Sequence, residues 1–275
     1  MNEKGTVPFR AYGVRRCARP TRRPENRLTW RPVRLRLCRR LDPPRAGRRD
    51  TDLVRIRVKI CGIARPEWAE AAAEAGADAI GLVFAASPRR VTPAEAARIV
   101  RVLPPWVAPV GVFVDETAEA ILATAAEVGL AAAQLHGDEP ADLVSLLGRL
   151  KVIKVFRIAS EADLDAARRW KLESERLGSP PAAYMVDARV AGGPRGGSGH
   201  TADWGLAARM IYEGFRPLVL AGGLAPENVA EAIAAVRPWG VDGSSGLETA
   251  PGRKSPEKIQ AFIEAVRKAG NEVTR

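Results

Sequence analysis

The stretch "VRIRVKICGIARPEWAEAAAEAGADAIGLVF", residues 54–84, carries the reading that decides the fold. Valine and isoleucine alternate with arginine and lysine up to Ile60, the period of a β-strand. An Ala/Glu-rich helical run opens at Pro66, where the missing N–H of proline costs nothing. A second apolar strand follows from Ala79 to Phe84. Cys61 stands on the last rung of the first strand with Gly62 directly behind it. A core cysteine would sit in mid-strand on a buried face. A thiol at the C-terminal lip sits where α/β proteins keep their chemistry.

The same alternation continues along the chain. Strands are expected at Arg55–Ile60, Ala79–Phe84, Pro109–Val114, Ala132–Leu135, Val152–Arg157, Ala183–Val186, Leu218–Ala221 and Gly240–Asp242. Helices are expected at Pro66–Ala75, Pro93–Val102, Thr117–Val128, Pro140–Leu147, Glu161–Leu172, Gly205–Ile211, Pro226–Ala235 and Pro256–Lys268. Strands alternating with helices imply parallel strands joined by helical crossovers. The even spacing of these eight pairs matches an α/β protein with a single (β/α)8 TIM barrel over residues 54–275. A doubly wound sheet rarely repeats the unit so regularly.

Composition limits what else the chain can be. No apolar run approaches the roughly 18 residues of a membrane span. Three cysteines (Cys17, Cys38, Cys61) and two histidines (His136, His200) make neither a disulfide framework nor a zinc site. The expectation is a reduced, cytoplasmic protein. The net charge of +11 is localised: residues 1–53 hold 16 Lys+Arg against 5 Asp+Glu, and the remaining 27 of each sign cancel. The body therefore gives no electrostatic reason to expect nucleic acid or membrane as partner. The arginine-rich residues 1–53, with prolines throughout and no sustained apolar period, are expected to be a disordered extension. It has neither the apolar stretch of a secretory signal nor the serines of a transit peptide. Two readings stay open for it: a basic tail for an anionic partner such as RNA, or sequence outside the natural domain.

In a (β/α)8 barrel the active site is assembled from residues just after each strand's C-terminal end. Those positions are Cys61-Gly62, Ser87-Pro88-Arg89, Asp115, His136-Gly137, Asp187, Gly222-Gly223 and Ser244-Ser245-Gly246. Polar residues and glycines gather there, ahead of apolar strands. The small residues of the last two loops suit phosphate, because backbone N–H groups can approach its oxygens. The loop "GGPRGGSGHTADW" after Asp187 can close over a substrate and donate N–H groups. Taken singly, each has a plainer reading: Cys61 as a small buried hydrophobe, Asp187 as a loop cap, Arg89 as a solvated charge, His136 as a structural residue.

Together, "VKICGI", "AGADAIGLVF", "SPRRV", "VGVFV", "QLHGDE", "GGSGHTADW", "LAGGLAPENV", "VDGSSGLE" and "PGRK" resemble the phosphoribosylanthranilate isomerases of tryptophan biosynthesis, from Val58 to about Arg267. The resemblance implies an Amadori rearrangement of N-(5-phosphoribosyl)anthranilate to 1-(2-carboxyphenylamino)-1-deoxyribulose 5-phosphate, without metal or cofactor, by a monomer or homodimer. It implies Cys61 as general base at the sugar C2′ and Asp187 as general acid at the ring oxygen. Arg89 would hold the anthranilate carboxylate, while Gln134, His136, Gly197 and Ser198 would line the substrate. Gly222, Gly223, Ser244, Ser245 and Gly246 would hold the phosphate. A thiol near a helix N-terminus and an anion-binding surface can have a lowered pKa, which would suit a base.

Departures from the family pattern are few. Gly243 replaces the usual valine, which would loosen the phosphate loop, and Ser255 follows Lys254 where aspartate is common. The related barrel isomerase that serves both histidine and tryptophan synthesis uses two aspartates, so Cys61 argues against it. A non-catalytic phosphosugar-binding barrel would lack the acid or the base, and both are present.

Overall fold

The computed structural model describes residues 55–188 and 204–273. The expected extension at 1–53, and Gly197 and Ser198 of the expected substrate loop, lie outside the described residues. Eight parallel strands form one closed barrel: β1 (Arg57–Cys61), β2 (Ala79–Val83), β3 (Ala108–Phe113), β4 (Ala132–Leu135), β5 (Lys151–Ile158), β6 (Ala183–Ala188), β7 (Leu218–Ala221) and β8 (Gly240–Gly243). Helices α1 (Pro66–Ala75), α2 (Pro93–Arg101), α3 (Ala118–Val128), α4 (Leu143–Leu146), α5 (Glu161–Arg176), α6 (Trp204–Tyr212), α7 (Val229–Val236) and α8 (Pro256–Val273) alternate with them. Among the described residues no helix is long and apolar enough to cross a membrane.

Local chemistry sets the helix ends. Thr92 caps α2 with a capping box: its hydroxyl accepts from the Glu95 N–H, and the Glu95 carboxylate accepts from the Thr92 N–H. Thr117 and Ser160 cap α3 and α5 more simply, their hydroxyls accepting from the N–H groups of Ala120 and Asp163. Gly76 ends α1 in the left-handed conformation, where its N–H reaches back to the last carbonyls.

The strands carry two sets of side chains. Ile60, Ile80, Leu82, Leu135, Val186, Leu220 and Val241 pack outward against the helices in the main core. The alternate residues face the barrel interior in two apolar clusters: Val155, Met185, Val219 and Ala221 in one, and Cys61, Val83 and Val112 in the other. Both faces of each strand are covered, as parallel strands require.

Three features differ from the expectation. The helix expected over Pro140–Leu147 is only the single turn of α4, because the preceding loop is tied down elsewhere. After β8 the chain makes a 3₁₀ turn (Ser245–Leu247) and a small antiparallel hairpin, β9 (Glu248–Ala250) with β10 (Arg253–Lys254), before α8 begins. Nor does Gly243 loosen the loop: a Cβ there would lie 2.6 Å from Leu247 Cδ1 and 3.1 Å from Phe262 Cε1. The space of the missing side chain is filled by two fully buried neighbours.

Candidate active site

Cys61 ends β1 and points inward at the barrel mouth, 8% exposed. Asp187 lies near the end of β6, two residues beyond the inward-facing Met185, and is 5% exposed. On the closed barrel β6 stands three strands from β1, by way of β8 and β7. Thiol and carboxyl therefore enter the mouth from different sides.

Gly62, behind the thiol, is in the left-handed region at φ 79°. A Cβ there would lie 2.4 Å from Arg89 Cδ, so the glycine gives the arginine stem its path across the mouth. Arg89 is not a ready fork for a substrate carboxylate. Its Nε and Nη2 each donate to Glu248 at 2.7 Å. Glu248 also accepts from Lys254 Nζ at 2.7 Å, and the Lys254 ammonium reaches the Ser244 carbonyl. Burial pushes the Glu248 carboxyl up, but Arg89 and Lys254 outweigh it and hold it below the usual glutamate range. One carboxylate thus ties the loop after β2 to the hairpin after β8.

His136 bridges two expected groups. Its Nε2 lies 3.7 Å from Asp187 Oδ2, and its Nδ1 lies 3.1 Å from Gln134 Nε2. Gln134 is buried, and its Oε1 has no hydrogen-bond partner among the described residues. The loop carrying His136 is fixed from beneath. Glu139 accepts from the N–H groups of Asp115 and Gly137, and Lys154 Nζ donates to its other oxygen at 2.6 Å. Asp115 serves this clamp, accepting from the Asp138 N–H. It is a structural residue of the rim.

The Gly222-Gly223 and Ser244-Ser245-Gly246 loops meet at the mouth. Gly222 and Gly223 adopt φ of 102° and 66°. A Cβ on Gly246 would lie 2.3 Å from the Leu224 carbonyl oxygen, so the loops after β7 and β8 are packed backbone to backbone. The N–H groups of Gly223, Ser245 and Gly246 find no backbone acceptor among the described residues. Ser244 Oγ donates to the Cys61 carbonyl at 3.3 Å and joins this corner to the thiol strand.

Beneath the thiol lies an ion pair the sequence did not disclose. Lys59 Nζ donates to Asp242 Oδ1 at 2.9 Å. Burial pulls the lysine down, but Asp242 and Cys61 outweigh it, and its pKa ends above the ordinary value. The sequence left the Cys61 pKa open, and its surroundings raise it. Burial pushes the thiol up, and the attraction of Lys59 and Lys254 offsets this only in part.

A closed eight-stranded parallel barrel with a thiol, a carboxyl and two meeting glycine–serine loops at its mouth defines a protein of the (β/α)8 class with acid–base groups in its mouth. Within that class, residues 58–265 match the family model of N-(5′-phosphoribosyl)anthranilate (PRA) isomerase, and the chain belongs to that family. The N-(5′-phosphoribosyl)anthranilate isomerase of Trichlorobacter lovleyi is 44% identical over 215 residues, covering 78% of this chain and 99% of the relative. The crystal structure of phosphoribosyl anthranilate isomerase from Thermotoga maritima is 43% identical with a TM-score of 0.69, covering 78% of this chain and 99% of that one. A phosphoribosyl anthranilate isomerase solved in complex with reduced 1-(o-carboxyphenylamino)-1-deoxyribulose 5-phosphate is 41% identical with a TM-score of 0.66, at the same coverages.

Proposed function

We infer that the chain is an isomerase of L-tryptophan biosynthesis, converting N-(5-phosphoribosyl)anthranilate to 1-(2-carboxyphenylamino)-1-deoxyribulose 5-phosphate. Asp187 delivers a proton to the furanose ring oxygen. The C1′–O bond breaks, and the nitrogen lone pair forms a C1′=N bond. The Cys61 thiolate then removes the C2′ proton. The C–H electron pair becomes the C1′=C2′ bond, and the C=N pair returns to nitrogen. Protonation at C1′ and loss of the enol proton give the ketone. One acid and one base on separate strands can reach different atoms of a single ribose.

The observation that carries this reading is the arrival of Cys61 and Asp187, both buried, at one barrel mouth beside the two meeting loops. The N–H groups of Gly223, Ser245 and Gly246, which find no backbone acceptor among the described residues, support phosphate binding by Gly222, Gly223, Ser244, Ser245 and Gly246. The unpartnered Gln134 Oε1 supports a contact with a substrate hydroxyl, with His136 beside it. Arg89 meets the anthranilate carboxylate through Nη1, or by exchanging Glu248 for it. A thiol used as base must stay reduced, which supports a cytoplasmic location.

The test is the loss of the anthranilate-derivative fluorescence on adding the purified chain, with the ketose identified by NMR. A chain that leaves the substrate unchanged would retract the reading.

A further inference from the structure

We propose that Lys59, braced by Asp242, is a positioning residue whose ammonium favours the thiolate form of the Cys61 sulfur in the barrel mouth. The proposal rests on the reading of Cys61 as the base.

Register puts the three groups together. Lys59 lies two residues before Cys61 on β1, so both face inward. Closure of the barrel pairs Lys59 with Asp242 of β8. Each of the two side chains is 7% exposed. On the other side Cys61 pairs with Gly81 of β2. A Cβ at Gly81 would lie 2.7 Å from Cys61 Sγ and 2.9 Å from Lys59 Nζ. The absent side chain leaves one small gap, and sulfur and ammonium both border it.

A buried ion pair is a poor device for stability, because desolvating both charges offsets most of their attraction. This one also stands beside a thiol that burial drives toward its neutral form. The charged groups facing the sulfur come from four elements: Lys59 of β1, Asp242 of β8, Lys254 of β10 and Arg89 of the loop after β2. Arg89 and Lys254 share the one carboxylate of Glu248. Three cations therefore stand against two carboxylates, a surplus that favours the thiolate and partly offsets its burial. Lys254 is also bound to the Ser244 carbonyl, whereas Lys59 borders the same small gap at Gly81 as the sulfur. Lys59 keeps its own protons throughout. The thiolate takes the C2′ proton and becomes the neutral thiol, and the ammonium favours the return to thiolate when that proton leaves.

The experiment titrates Cys61 without substrate, from the thiolate ultraviolet absorbance of the full chain minus that of Cys61→Ser. The same difference is taken in Lys59→Met and Lys59→Arg backgrounds. Lys59→Met should raise the midpoint by about one unit or more, the usual effect of losing a close opposite charge. The ascending limb of kcat/KM against pH should move with it. Lys59→Arg, which keeps the charge, should stay near wild type in both. A folded Lys59→Met chain with an unmoved midpoint overturns the proposal. If Lys59→Met does not fold, Lys59→Met/Asp242→Asn leaves no orphan charge and is read the same way. Its midpoint should also rise, because the ammonium outweighs the carboxylate at the sulfur, and an unmoved midpoint there overturns the proposal equally. The base assignment fails separately: it falls if Cys61→Ser turns over like wild type. The present proposal alone falls if Cys61→Ser is inactive and the midpoint ignores Lys59.

Discussion

Burial raises the Cys61 thiol, and Lys59 and Lys254 do not cancel the effect. A base must be deprotonated before it accepts a proton. A raised pKa therefore means that the active form grows as pH increases. We expect kcat/KM to climb with pH, on a limb centred at or above the ordinary thiol value of about 8.5. A pH–rate profile already flat below about pH 7 would contradict this. Arg89→Ala removes a charge-assisted contact and also leaves Glu248 facing the mouth with one cation fewer. KM should rise about tenfold or more, the scale of a lost charged hydrogen bond, with a smaller change in kcat. Steady-state kinetics showing an unchanged KM would end that assignment. The placing of Cys61 and Asp187 at the mouth was legible because strand ends set them apart from the apolar rungs behind. Lys59 was not, because one lysine in "VRIRVKIC" looks like another polar rung. Its partner is 183 residues away, and only closure of the barrel brings it near.

At the scale of the elements, β1 and β2 approach closely enough that only glycine fits beside the thiol. Gly81→Ala should force Cys61 Sγ or Lys59 Nζ aside. Overfilling of this kind costs about 1–3 kcal/mol, which a denaturant melt would detect, and kcat should fall with it. A Gly81→Ala chain equal to wild type in both would show that the gap has no role. All eight barrel strands were legible, since parallel strands covered on both faces read as short apolar runs between helical stretches. The short α4 was not. Residues before it are taken up by the Glu139–Lys154 pair and by Trp170 Nε1 donating to the Glu139 carbonyl. These are long-range contacts that a helical pattern over Pro140–Leu147 does not announce. The β9–β10 hairpin was equally hidden, because "ETAPGRK" is too short and polar to show a strand period.

For the whole molecule, the family match begins at Val58, and the net charge of the chain lies entirely before Val54. A fragment of residues 54–275 should keep the melting temperature and kcat/KM of the full chain while its isoelectric point drops sharply. Loss of folding or of most turnover in that fragment would make the N-terminal residues part of the enzyme. The central claim is that one thiol and one carboxyl, brought to a single mouth by the closed barrel, divide the acid and base work between them. Its most direct test is kcat in the fluorescence assay for Cys61→Ala and Asp187→Asn beside the wild type, with folding checked by circular dichroism. Each variant should fold and lose about 10²–10⁴-fold in turnover, as expected for removal of a general acid or base. Near wild-type kcat in either folded variant would contradict the account.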